Sequence, residues 1–367
     1  MKLLPKRLFV ALVPSVVTVL LAAPALAQDT ALVKPRPLLQ DGRFMPGVGN
    51  EAIAKARFTV KADGTTDDVE IISYLSNPFL ETQLRDTVSA WTFEPGTANG
   101  EAVDFHNQEW VFALRVDPTA PAPQEDAEAS VPAANNVSPS LALSAEVKTA
   151  VDEISALVAA NDLNKALKEA DKLLRDDIHT VFDYSLAQEL RASILMAQEQ
   201  PFAALEASNL STLHAYNTQG EIEYFLTDEI LEGSLRKKFL LAASVSQNAL
   251  AWDTYQAMQS QLELDADDQV HQQAQAVKAK LDSPEPLGMI AKITADKQWT
   301  HKPTRRIFTV ADIDGKLDKI NARCERRNFE LEYQQDVDWT LPASFGSCEL
   351  DFVGRNGTQF TIYEFVE

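Results

Sequence analysis

The sequence predicts an α+β multidomain chain: a β-rich first unit, an all-helical middle and a β-rich C-terminal unit. Three observations predict it. Residues 54–60 alternate strictly between two faces. From Ser144 to Asp282 only Pro201, Gly220 and Gly233 interrupt the chain, which is the sparse punctuation of helices. After Ser283-Pro284-Glu285-Pro286 aromatic and β-branched residues return.

The chain opens with a leader. Lys2, Lys6 and Arg7 form a basic n-region, Leu8 to Leu21 is apolar but broken by Pro14, and Ala25-Leu26-Ala27 offers a cleavage site before Gln28. Residues 1–27 read as an export signal, with no cysteine at the cleavage point for lipid attachment. About 340 residues follow, a length for two or three domains. None of their stretches approaches the ~20 apolar residues of a membrane span, so the mature chain is expected in the periplasm without a span. The net charge of −21 would repel the phosphates of nucleic acid and excludes that partner class.

The first folded unit is placed at 28–116. Ala54, Ala56, Phe58 and Val60 share one strand face, and Lys55, Arg57, Thr59 and Lys61 the other, as in a half-buried strand. Asp63-Gly64 supplies the positive-φ turn of a tight hairpin. The return strand sets Val69, Ile71, Ser73 and Leu75 on one face. Asn77-Pro78 opens a helix with Asn77 as N-cap and Pro78 at the first position. Leu80, Leu84, Val88 and Trp91 recur along it at helical spacing. Past Pro95 and the turn Asn99-Gly100, a closing strand runs through Trp110, Phe112, Leu114 and Val116, which gives the order ββαβ.

The run Asp63-Gly64, the segment DVEIIS at 68–73, the helix ending in WTFEP at 91–95 and the NGEAV turn at 99–103 resemble the TonB C-terminal domain family over residues 48–116. The resemblance implies a periplasmic domain without catalytic residues. It further implies protein partners, outer-membrane transporters or TonB-system components, bound by strand addition. An energy-transducing TonB carries a membrane helix, a Pro-rich spacer and then this domain. Here the domain comes first behind a leader that reads as cleavable, so fold and compartment are the better supported implications.

Residues 117–143 hold Pro118, Pro121, Pro123, Pro132 and Pro139, many alanines and no aromatic residue, and read as a disordered acidic linker. Within 144–282 the segments around Ala166-Leu167, Ala204-Leu205 and Ala249-Leu250 each follow a short break, at spacings of 38 and 45 residues. They resemble tetratricopeptide-type helix pairs, without most of the characteristic Trp and Tyr positions. A concave peptide-binding surface and a plain helical spacer are both open readings. In 287–367, Phe308-Thr309-Val310 with Asp314-Gly315, and Trp339-Thr340-Leu341-Pro342, echo the first unit. A divergent second copy and an unrelated small β-domain are the two alternatives. Cys324 and Cys348 are the chain's two cysteines, and an even pair in an exported chain reads as one disulfide.

No catalytic, cofactor or metal motif stands out. His106, His179, His214, His271 and His301 lie in no metal spacing, and neither G-x-S-x-G nor a phosphate-binding glycine loop occurs. Asp312-x-Asp314-Gly315 fails the calcium-loop pattern, because Val310 and Asn321 fall on ligand positions. Asp265, Asp267 and Asp268 fit a helix N-terminal turn, and Asn356-Gly357-Thr358 fits a hairpin turn. Arg305, Arg306, Arg323, Arg326 and Arg327 read as a solvated strand face. The reading is a non-enzymatic periplasmic interaction protein, TonB-like and linked to outer-membrane transport. The alternative is an envelope scaffold that contacts peptidoglycan. The candidate site is the edge of the closing strand, Gln108, Glu109, Trp110, Val111, Phe112, Ala113 and Leu114, where little charge guards the backbone.

Overall fold

The computed structural model describes residues 32–33, 36–39, 51–75, 78–114, 143–176, 178, 180–216, 222–262, 264–265, 267–294, 297–334 and 337–366. The leader 1–27, the linker apart from Leu143, Asn77, Arg115, Val116 and His179 lie outside them.

The first unit runs β1 (Leu32–Val33), β2 (Arg36–Leu39), β3 (Ala52–Val60), β4 (Thr66–Leu75), α1 (Pro78–Ser89), β5 (Thr92–Glu94), β6 (Thr97–Ala98), β7 (Glu101–Ala102) and β8 (Phe105–Leu114). The long strands form one antiparallel sheet in the order β4-β3-β8. The turn from β3 to β4 is closed by Lys61, whose amide donates to Thr65 O at 2.8 Å, and by Gly64 at φ +85°. Asn99 and Gly100 both have positive φ, as a two-residue hairpin between β6 and β7 requires. Leu84, Val88 and Trp91 bring α1 and its end onto Ala54, Ala56, Phe58 and Val60.

Two details differ from the sequence reading. Strand β3 is engaged on both faces: Ile53 and Thr59, on the side opposite α1, are buried too. The reason is that the other units of the chain cover that side. In β4 the register shifts between Ile53↔Leu75 and Ala54↔Ser73, so Tyr74 is an extra residue. A bulge changes the alternation, and Leu75 joins Ile53 against the helices instead of joining Val69 and Ile71.

The middle unit contains α2 (Ala145–Ala159), α3 (Leu163–Asp176), α4 (Val181–Ala197), α5 (Pro201–Ser211), β9 (His214–Tyr216), β10 (Ile222–Tyr224), α6 (Asp228–Ser244), α7 (Asn248–Gln261) and α8 (Gln269–Asp282). Ser144, Thr180, Thr227 and Asp268 cap α2, α4, α6 and α8, each side chain accepting from an amide of the first turn. The three sequence breaks share one geometry. Asn161, Glu199 and Ser246 follow α2, α4 and α6 in the left-handed region, at φ +58°, +57° and +61°. In each case the next amide reaches five residues back: Asp162 N to Leu157 O, Gln200 N to Leu195 O and Gln247 N to Ala242 O, all at 2.9 Å. These are Schellman C-caps, and each turns the chain into the second helix of a pair. The hairpin β9–β10 sits between the second and third pair, in a stretch read as helical throughout, and it accounts for the longer second spacing.

The C-terminal unit comprises β11 (Leu287–Lys292), β12 (Gln298–His301), β13 (Ile307–Asp314), β14 (Leu317–Cys324), β15 (Asn328–Glu332), β16 (Asp338–Thr340), a 3-10 turn at Ala343–Phe345, β17 (Cys348–Gly354) and β18 (Gln359–Phe365). Its sheets have the orders β11-β18-β13-β16 and β12-β17-β14-β15. Phe308, Val310, Phe360 and Ile362 of the first meet Ile320, Ala322, Leu350 and Phe352 of the second in one core. No α-helix crosses this unit among its described residues, so it is not a second ββαβ copy. The echoed Asp312–Gly315 segment is a bulge and turn: Asp312 has φ +52°, and the register with β18 shifts between Ala311 and Asp314. Cys324 and Cys348 face each other across β14 and β17 and form the disulfide.

Candidate partner-binding edge

Strand β8 stands at one end of the β4-β3-β8 order, which makes it an edge of the sheet. Its side chains divide between two environments. Trp110 and Phe112 face α1, with Trp91 ring centroids 5.8 and 5.5 Å away. Glu109, Val111 and Ala113 face the other way. Val111 and Ala113 pack with Ile53 and Tyr74 into the cluster built by α2, α3 and α4. Glu109 accepts from Lys55 Nζ at 3.1 Å and from Arg57 Nε at 3.0 Å. Burial pushes the Glu109 carboxyl up, and the Lys55 and Arg57 charges outweigh it, so the group sits below the ordinary glutamate range. Gln108 lines a cavity of about 260 Å³ shared with the C-terminal unit. Leu114 pairs with Ala52 at the end of the ladder.

The seven predicted residues therefore lie together on one strand, and the sheet they belong to is covered on both faces. Helix α1 takes one face. The helical unit covers one end of the other face, and the C-terminal unit approaches its second end. Segments β1 and β2 do not lie beside β8; they pair with β6 and β5. The opposite edge, β4, exposes Asp67, Asp68 and Glu70 and holds Asp68 at φ +51°. Charges and irregular backbone of this kind discourage strand pairing.

The arginines read as a solvated face are instead ties between elements, and that reading is corrected. Arg305 donates to Glu285 O at 2.5 Å, to Ser283 O and to Leu281 O at 3.4 Å, and so gathers carbonyls of the last turn of α8 and the residues after it. Arg323 forms a two-point pair with Asp351 at 2.6 and 2.8 Å and meets Glu349 at 3.0 Å. Burial works against the Arg323 charge, while Asp351, Glu349 and Glu109 outweigh it and hold the guanidinium above its ordinary range. Arg306 donates to Pro342 O at 3.2 Å, and Arg327 lies over the Phe345 ring. The cause is position: these side chains sit where strands end against another element, and their charges find carbonyls and acids there.

Three of the histidines have side-chain partners within the fold. His106 lies 3.2 Å from Thr59 Oγ1, and His271 lies 2.8 Å from the Tyr255 hydroxyl. His301 Nε2 lies 2.5 Å from the Glu364 carboxylate. Asp268 is the α8 N-cap, as the acidic run suggested; its carboxyl is drawn down to about 2 by the Arg236 hydrogen bond and the Val270 amide. Among the described residues no group of three His, Cys, Asp or Glu side chains is placed to hold a metal ion, and no helix is long and apolar enough to cross a membrane.

Sequence reasoning missed Glu364. It is fully buried and accepts from Thr304 N, Thr304 Oγ1 and Arg305 N at 3.0, 2.5 and 3.0 Å. A signal existed: the alternation that buries Phe360 and Ile362 lands next on Glu364.

No curated protein matches the chain. Residues 48–114, which span the sheet, α1 and the whole of β8, match the family model of the Gram-negative bacterial TonB protein C-terminal, and this first unit is a TonB C-terminal domain.

Proposed function

We propose that the chain is a non-catalytic periplasmic interaction protein that takes an extended partner segment along β8, in TonB-linked outer-membrane transport. The observation that carries the reading is the use of both sheet faces by the chain itself. With the faces filled, recognition falls to an edge: β4 is guarded by its charges and irregular backbone, while β8 has β9 close by but, among the described residues, no strand other than β3 paired to it. An edge strand offers main-chain donors and acceptors to an incoming strand. The family match at 48–114 supports the same mode. The helix pairs and the C-terminal sandwich then serve as the frame that fixes the sheet.

The test is photo-crosslinking in living cells, with a photoreactive residue placed in turn at each position from Gln108 to Leu114 of the full chain. Identification of an outer-membrane transporter as the adduct is the expected result. Adducts from control positions on α5 or α7 but none from the strand would overturn the edge reading. An adduct from the strand to an envelope protein unconnected with transport would remove the transport assignment.

A further inference from the structure

The start of β8 is held by the C-terminal unit as well as by its own sheet. Phe58 faces Gln108 and Val60 faces Phe105, so His106 and Asn107 together stand opposite Thr59. Asn107 has φ +53°, and the strand bulges there. The bulge turns the His106 amide toward the C-terminal unit, where it donates to Glu325 O at 2.6 Å. Asn107 Nδ2 donates to Cys324 O at 2.9 Å and to Asn328 Oδ1 at 2.7 Å. Arg326 donates to Asp104 O, and its guanidinium lies 5.4 Å from the Phe105 ring centroid.

All of these partners belong to one turn, residues 324–328 between β14 and β15. The turn is held in shape from behind. Cys324 N donates to Arg327 O, Glu325 N to Ser347 O and Arg326 N to Phe345 O, at 2.9 to 3.0 Å, and Cys324 is bonded to Cys348. Arg305 ties the unit that carries the turn to the end of α8. The cavity lined by Gln108, Glu109, Arg323 and Glu349 lies next to the turn, so the space beyond it is open rather than packed.

We propose that the 324–328 turn is an intramolecular cap on the partner edge: it occupies the start of β8, and a partner strand pairs there only after the turn has moved away. The proposal rests on the strand-acceptance reading above. One amide cannot serve two acceptors well, and the His106 amide already serves Glu325. An incoming strand and the turn therefore compete for the same backbone.

Two variants of the full-length mature protein test this. Arg326→Ala removes the contacts to Asp104 and Phe105. Asn107→Gly removes the side-chain amide and keeps a residue suited to positive φ. Hydrogen exchange measures the cap without any partner. Amides of 105–109 should exchange about tenfold faster in each variant, the effect of losing one or two net hydrogen bonds, with β3 and β14 unchanged. The yield of the in-cell adduct from Gln108 should rise alongside. Unchanged exchange at 105–109 overturns the cap, whatever the adduct yield. Faster exchange with an unchanged or lower yield overturns the competition. Strand acceptance itself is judged separately, on adducts from the unaltered protein. Should Asn107→Gly fail to fold, Arg326→Ala, which leaves every residue of the strand itself unchanged, carries both measurements.

Discussion

Replacing Glu364 by alanine should destabilise the C-terminal unit by about 3–6 kcal/mol. The carboxylate is fully buried and meets four donor groups, on His301, Thr304 (twice) and Arg305. Hydrogen bonds to a charged group contribute roughly 1.5–3 kcal/mol each. Thr304 is exposed, so water replaces much of what its two groups lose. His301 is buried and the Arg305 amide is partly buried, so those two losses set the estimate. Glu364→Gln keeps an acceptor for Thr304 and Arg305 and should cost only about 1–2 kcal/mol. Native-state hydrogen exchange of the β18 and β13 amides is the suitable assay, because a chain of several units does not unfold in one step. An alanine variant within ~1 kcal/mol of the parent, with unchanged β18 protection, would refute the reasoning. The acid response gives a second arm. Burial pushes the Glu364 carboxyl up, and hydrogen bonds from His301 and Thr304 outweigh it, so the folded pKa is depressed. Its stabilisation is present above the unfolded glutamate value of about 4.3 and is lost as pH falls through the folded value. Glu364→Gln should lack that part of the acid destabilisation.

Three further outcomes are expected. Removing the Cys324–Cys348 bond by a double alanine change opens a loop spanning 24 positions. It should cost about 3.5 kcal/mol by chain entropy, read from the thermal transition of the C-terminal unit. Gly64→Ala would place a methyl group 2.2 Å from Phe93 O at a residue with φ +85°. A loss of about 2–4 kcal/mol should appear as weakened exchange protection in β3 and β4, and a neutral result would contradict the turn geometry. Glu199→Gly relieves a non-glycine residue at φ +57° in the second Schellman cap. It should stabilise the helical unit by about 0.5–1 kcal/mol in urea denaturation, and destabilisation would show that the Glu199 side chain has a role of its own.

The sequence by itself determined what depends on neighbours along the chain. Alternation at 54–60 marked β3, Asp63-Gly64 marked its turn, and the three A-L openings marked the second helix of each pair. These are legible because a period of two, a positive-φ residue and a C-cap are local requirements, written within a few residues of where they act. The short β9–β10 hairpin was not legible, since three-residue strands carry too little periodicity to stand out in helical surroundings. The seven residues of the candidate edge were named from the strand pattern. Nothing in that pattern said that Val111 and Ala113 would meet helices α2 to α4, or that His106 would give its amide to Glu325. Arg305, Arg323 and Arg326 looked like surface charges for the same reason. Their partners lie 20 to more than 200 residues away in sequence, and only the packing of one unit on another brings those groups within hydrogen-bond distance. Tertiary structure decided which edge of the sheet is guarded, which faces are filled and what sits on the start of β8. Each of these depends on distances between segments whose separation in the chain carries no local signal.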